Sequence, residues 1–196
     1  VDKRGNLDSI REPIRLVTGS GDDHAYLYHT DSSALDSTVT NAFASFDDRT
    51  GTYTHRVRTG QDSTTSDDRL WYEGSLEELT LYLSDSQNQV ELAATNAITT
   101  VYADNPESSA AGTDTFYVGM LSQPAPLDTA INAPRLLTHL VGDVFIYGGG
   151  ADDTIFIDHT LSQFDSTSIL SGTNGTGSFD LADASLTRAQ IAYFDI

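Results

Sequence analysis

Leu16-Val17-Thr18-Gly19-Ser20-Gly21-Asp22-Asp23-His24-Ala25-Tyr26-Leu27-Tyr28-His29-Thr30 returns about 130 residues later as Ile146-Tyr147-Gly148-Gly149-Gly150-Ala151-Asp152-Asp153-Thr154-Ile155-Phe156-Ile157-Asp158-His159-Thr160. Both stretches run through an apolar pair, a small-residue turn, Asp-Asp, an alternating apolar run and His-Thr. The correspondence continues outward: Asp36-Ser37-Thr38 answers Asp165-Ser166-Thr167, and Leu76-x-x-Leu79-x-Leu81 answers Ile191-x-x-Phe194-x-Ile196. The 196 residues read as one long unit and the start of a second, about one and a half copies. Self-similarity at a long period marks stacked architectures, in which each unit buries its apolar face against the next.

Between and around these stretches lie short apolar runs: Ile14 to Val17, Ala25 to Tyr28, Leu70 to Tyr72, Leu79 to Leu83, Val90 to Leu92, Thr99 to Tyr102, Phe116 to Val118, Val144 to Tyr147, Ile155 to Ile157 and Ala192 to Ile196. Each is rich in β-branched or aromatic residues and bounded by Gly, Asp, Asn or Ser, which predicts strands joined by turns. One form recurs around Asp23, Asn88, Asp114 and Asp153: an apolar run, a turn ending in Asp or Asn, then two apolar residues separated by one other. The expected fold is all-β, a parallel β-solenoid of the β-helix or β-roll kind with inserted loops at Ser32 to Asp68 and Gln123 to Thr138, the first of which is expected to make extra strands or an excursion that covers one face. A four-bladed β-propeller is the alternative, because Asp23, Asp68 and Asp114 are evenly spaced. Helix is expected only in short pieces, Thr129 to Val141, broken by Pro134, and Ser185 to Ala192. No tract has the length and composition of a flexible linker, so residues 1–196 form a single module. The start at Val1 without Met and the end on an apolar run at Ile196 read as a piece cut from a longer chain.

Composition narrows the function. With 29 acidic against 10 basic side chains the net charge is −19, which sets the surface against nucleic acid and anionic membranes. The alternating apolar runs set the chain apart from a disordered acidic tail. Without cysteine there is no disulfide framework, thiolate metal site or cysteine nucleophile. No apolar stretch is long enough to span a bilayer as a helix. The five histidines lack the helical spacing of a zinc protease, and the chain has neither a Gly-x-Ser-x-Gly elbow nor a phosphate-binding loop. These absences point away from an enzyme. His29-Thr30 and His159-Thr160 recur at equivalent places, which suggests a structural position. The basic cluster His55-Arg56-Val57-Arg58 with Arg69 balances Asp47, Asp48, Asp67 and Asp68. Among the aromatic residues, Trp71-Tyr72 is expected to leave a flat exposed surface. Asn174-Gly175-Thr176 is a glycosylation sequon, usable in a secreted eukaryotic chain.

The paired acidic residues carry the remaining chemistry. Asp22-Asp23 and Asp152-Asp153 crowd like charges, which a cation would relieve, although a turn Asp can instead hydrogen-bond the backbone. Gly148-Gly149-Gly150-Ala151-Asp152-Asp153-Thr154-Ile155-Phe156 resembles the haemolysin-type (RTX) calcium-binding repeat G-G-x-G-x-D-x-Φ-x, where Φ is apolar, with Ala151 in place of the third glycine. Thr18-Gly19-Ser20-Gly21-Asp22-Asp23-His24-Ala25-Tyr26 keeps the second and third glycines and the Asp, and Gly112, Asp114 and Phe116 form a weaker match. The resemblance implies calcium held by turn carbonyls and carboxylates, with Gly19, Gly21, Asp22, Asp23, Gly112, Asp114, Gly148, Gly149, Gly150, Asp152 and Asp153 as candidate metal residues and Asp153 as the favoured centre. The repeats here are isolated rather than consecutive. Each ion, which takes about 6–8 oxygen ligands, would need a neighbouring rung.

The order Leu76-x-x-Leu79-x-Leu81, Asn88 to Leu92, Gly112 to Phe116 and Val144 to Ile157 is similar to the long repeats of giant extracellular β-solenoid proteins. That likeness implies an extracellular or cell-surface structural module of a fibre or adhesin, stiffened by calcium and stacking end to end on neighbouring modules, in the same chain or as a homopolymer. The alternative is a module that binds or modifies polysaccharide, with carbohydrate as partner.

Overall fold

Residues that alternate apolar and polar along a strand place every second side chain on one face, so stacked strands build apolar columns. In the computed structural model the described residues are 5–12, 14–30, 37–48, 51–60, 67–72, 75–104, 112–119, 140, 142–150, 152–157, 166–173, 176–183, 190–194 and 196. A 3-10 turn, Leu7–Ser9, precedes β1 (Ile14–Leu16), β2 (His24–Tyr28), β3 (Ser37–Asp48), β4 (Gly51–Gly60) and β5 (Asp67–Tyr72). There follow β6 (Glu78–Tyr82), β7 (Asn88–Leu92), β8 (Ile98–Tyr102), β9 (Thr115–Val118) and β10 (Val144–Tyr147). The last four are β11 (Thr154–Ile157), β12 (Ser166–Thr173), β13 (Thr176–Asp183) and β14 (Gln190–Phe194).

These strands form two seven-stranded sheets. The first has the order β1-β5-β4-β3-β7-β9-β11, the second β12-β13-β14-β10-β8-β6-β2. From β5 to β11 each successive strand crosses to the other sheet, and strands that stack directly on one another are parallel. Two antiparallel meanders interrupt this, β3-β4-β5 in the first sheet and β12-β13-β14 in the second. The fold is thus all-β with parallel sheets, as the short apolar runs predict. Propeller blades are antiparallel meanders, whereas the ladders that join β6 through β11 are parallel, and no closed sheet is formed among the described residues.

Register turns the sequence alternation into a core. In the second sheet Leu79, Thr99, Val144 and Ile191 share one ladder and Leu81, Val101, Ile146 and Tyr193 the next. In the first sheet Val90, Phe116 and Ile155 align, as do Leu92, Val118 and Ile157. All of these except Ile155, Ile157 and Tyr193 are fully buried. Each buried Leu, Val, Ile or Phe contributes about 1.5–3 kcal/mol relative to exposure, so these columns are the main source of stability.

One expectation is corrected. Ser185 to Ala192 does not supply a helix over its last three residues, because Gln190–Ile191–Ala192 open strand β14. Of the expected helix Thr129 to Val141, all but Leu140 lies outside the described residues, and Leu140 makes an isolated parallel bridge to Thr95. The stretch after Asp165, which the apolar runs left without strands, forms the hairpin β12–β13.

Candidate metal centre

Three of the four crossings from the second sheet back to the first end in Asn or Asp, β6 to β7 at Asn88, β8 to β9 at Asp114 and β10 to β11 at Asp153, while the fourth, β2 to β3, passes largely through residues outside the described ones. Ladder register stacks these endings, because β7, β9 and β11 pair from the next residue onward. Each carboxylate then reaches one rung along. Asp114 Oδ1 accepts the backbone N–H of Asn88 at 2.6 Å, and Asp153 Oδ1 accepts that of Asp114 at 2.7 Å. At the start of the middle turn Asp104 Oδ1 accepts the N–H of Gly112 at 2.9 Å.

Only one oxygen of each carboxylate is used. Oδ2 of Asp104, of Asp114 and of Asp153 is buried with no hydrogen-bond partner, and so is Oδ1 of Asn88. Asp114 is fully buried and Asp104 nearly so. Burial therefore dominates their proton affinity: Asp114 is pushed up to about 7, opposed by the Asn88 hydrogen bonds and reinforced by the charges of Asp104 and Asp153. Asp104 is pushed up to about 6 by burial, opposed by the Gly112 hydrogen bond, with Asp153 and Asp85 adding to the rise. Asp153 is raised by burial and by Asp152, against the hydrogen bond from Asp114.

Asn88 holds the first turn. Its Nδ2 donates to the carbonyls of Ser84 at 2.9 Å, Ser86 at 2.7 Å and Ala103 at 2.9 Å, and lies 3.1 Å from Asp114 Oδ1. The glycines make close approach possible. A Cβ on Gly112 would strike the carbonyl of Ser86, and one on Gly149, whose φ is 116°, would strike the Asp104 carboxylate.

Gly112, Asp114, Gly149 and Asp153 of the expected metal residues thus gather on one corner, together with Asp104. Gly148 is buried beside them and donates its N–H to Phe194 O at 3.0 Å, while Gly150 and Asp152 face solvent. Gly19, Gly21, Asp22 and Asp23 do not join them: their turn crosses from the first sheet to the second, the opposite direction. There Asp23 Oδ2 accepts the N–H of Gly19 at 3.2 Å, and the N–H of Asp23 donates to Glu77 Oε2 at 2.8 Å. Asp104 escaped the sequence reading. Val101-Tyr102 pairs onto Ile146-Tyr147, so Asp104 follows its strand at the same interval as Gly149 follows the next one.

The donor set fits a hard cation: oxygen atoms only, several of them lacking a proton to accept. Among the described residues, however, no group of three or more acidic or histidine side chains stands within metal-ligating reach of one point.

On the outer face of the second sheet Tyr28, Tyr82, Tyr102, Tyr147 and Phe194 stack in a continuous column, with centroid separations of 4.9, 5.0, 4.8 and 4.7 Å. Inner rings of this column turn their faces to each other and only their edges outward. Trp71-Tyr72 is not the exposed pair expected, because Tyr72 is fully buried on β5. Arg69 is also buried, its Nε donating to Thr59 Oγ1 at 2.8 Å. His29 is buried, with Nδ1 accepting the N–H of Leu7 at 3.1 Å, a structural position. His159, Asn174 and Gly175 lie outside the described residues.

Compared with known proteins, the chain matches no family model, no curated protein and no solved structure.

Proposed function

We propose that this chain is a structural module, a segment of a two-sheet parallel β-solenoid whose rungs are tied at one corner by carboxylates and stiffened there by calcium. Its work is mechanical rather than catalytic: it spans distance and presents surface, as a fibre or adhesin segment outside the cell does, and it continues end to end into neighbouring modules. The observation that carries the reading is the column of turn carboxylates, each spending one oxygen on the next rung's backbone and leaving the other buried without a partner. Such an oxygen is costly when charged, and a proton or a cation relieves it.

With calcium present, Asp104, Asp114 and Asp153 would supply carboxylate oxygens, and the turn backbone around Gly149 would supply carbonyls. The ion would draw these groups closer and cancel their mutual repulsion. A site of about 0.1 mM affinity in about 10 mM calcium adds roughly 2.7 kcal/mol to the folded state.

The test is thermal unfolding followed by circular dichroism, first with excess chelator and then with about 10 mM calcium. The reading expects Tm to rise with calcium, and Asp153→Ala to abolish the rise. Equal melting curves would remove calcium and leave a solenoid tied by hydrogen bonds alone.

A further inference from the structure

The two sheets end out of step. Among the described residues the outermost strands are β1 in the first sheet and β2 in the second at one end, and β11 and β12 at the other. Apolar residues cluster at these edges: Ile14, Tyr26 and Phe156, on β1, β2 and β11, are 50%, 54% and 46% exposed. Leu16, Ala25, Leu27, Ile155 and Ile157 point to the core yet are only partly buried. Strand β11, Thr-Ile-Phe-Ile, has none of the charges, prolines or bulges that blunt a natural edge.

The molecule itself records what covers each edge. β1 to β5 and β10 to β14 have the same plan: the first strand pairs parallel with the fifth, and the third, fourth and fifth form an antiparallel meander. Ile191 therefore answers Leu70, since both stand opposite the start of their first strand, and the sequence match of Ile191 to Leu76 is corrected. Within the chain β2 is covered by β6 and β3 by β7, while β10 is covered by β8 and β11 by β9. By equivalence, β11 is a seat for a β6-like strand and β12 for a β7-like strand. Likewise β1 seats a β8-like strand and β2 a β9-like one. The strands required are consecutive at each end, and all four contacts are parallel.

We propose that the partner of these edges is the β6 to β9 block of a further copy of this same unit, and that successive units swap sheets. Between β1 and β10 the chain crosses from sheet to sheet seven times. Seven is odd, so β10 lies in the sheet opposite β1, and the two Gly-Asp turns that match in sequence fall on opposite corners. Units therefore follow one another by a half-turn screw. Each sheet regains its order after nine strands, roughly 43 Å at about 4.8 Å per strand, which is two units, or about 22 Å for each. The inference rests on the two-sheet solenoid reading and is independent of calcium.

The experiment extends the full chain after Ile196 with a second copy of residues 75–119, then reads backbone hydrogen exchange in chelator. The block is expected to dock on the open end: amides of β11 and of the added β6 to β9 become protected, the protein stays monomeric, and Tm rises. Unprotected amides in the added block, or unchanged exchange along β11, would overturn the proposal while leaving the module's own fold intact. Slow exchange in β8 and β10 of the unextended chain checks the underlying reading separately, and its absence would defeat both. As a control, Leu79→Lys with Leu81→Lys in the added copy alone should return β11 to its original exchange.

Discussion

The backbone N–H of Asp114 donates to Oδ1 of Asp153 across 2.7 Å, so the turn of one rung is closed by a carboxylate belonging to the next. The same relation one rung earlier joins Asn88 to Asp114. Turn residues here are bound to the neighbouring turn as well as to their own, and stability is shared along the corner.

This sharing sets the pH dependence. Asp114 and Asp104 hold their protons to about 7 and about 6, far above the roughly 3.9 of an unfolded aspartate. The folded state thus binds protons that the unfolded chain has released, a stabilisation fully present below about pH 4 and lost as pH rises through about 7. In chelator, differential scanning calorimetry of the wild type against Asp114→Asn should show a wild-type deficit at pH 7.5 that narrows by pH 5 and vanishes only below about pH 4. The expected gap is about 2–4 kcal/mol, or roughly 5–10 °C in Tm. Parallel curves at both pH values would contradict it.

Asn88 tests the turn without adding charge. Asn88→Ala removes the donor to three carbonyls and leaves buried acceptors unsatisfied, an expected loss of about 2–4 kcal/mol in urea unfolding. Asn88→Asp sets a further carboxylate against Asp114, so it should cost more in chelator than in calcium. An equal loss under both conditions would count against cation binding at this corner.

Glycine substitutions separate the two look-alike turns. Gly149→Ala meets both a positive φ of 116° and the Asp104 carboxylate and should cost about 2–4 kcal/mol. Gly19→Ala meets nothing within 4 Å and should change stability by less than about 0.5 kcal/mol. Similar Tm losses for both would show that the turns are equivalent, contrary to the structure.

The ring column makes a spectroscopic prediction. Tyr102 lies between Tyr82 and Tyr147 at 5.0 and 4.8 Å, so Tyr102→Ala breaks two stacked contacts, each worth about 0.5–1.5 kcal/mol. Its near-ultraviolet dichroism should fall by more than the loss of one tyrosine, and a double-mutant cycle with Tyr82→Ala should show coupling. Additive losses would mean that the rings do not act as a column. Tyr82, raised by burial and then by Tyr28 and Tyr26, should ionise above the ordinary tyrosine value in the same spectra.

Much of this was legible in the residues. Leu79-x-Leu81, Val90-x-Leu92 and Val144-x-Ile146 announce their strands because alternation and burial coincide there, and the ladders pair these same positions. Hairpin β12–β13 was missed because its composition, Ser, Thr and Gly, carries little apolar alternation. Its best signal was the Asn174-Gly175 pair, a hairpin-turn dipeptide that also reads as part of a glycosylation sequon. The carboxylate corner was half legible. Residue type marks a turn Asp, but only the crossing direction decides which corner it occupies, and local sequence carries no record of that parity.

Parity also constrains how such a chain can change length. If one crossing strand were deleted from the run β6 to β9, everything after it would face the other way: buried columns would still form, but every later carboxylate turn would leave its corner. Removing two crossing strands would restore the sides and only shorten the stack. Within that run the carboxylate corner survives only a change by pairs of strands, whereas a whole unit, with its odd number of crossings, hands the corner to the other side.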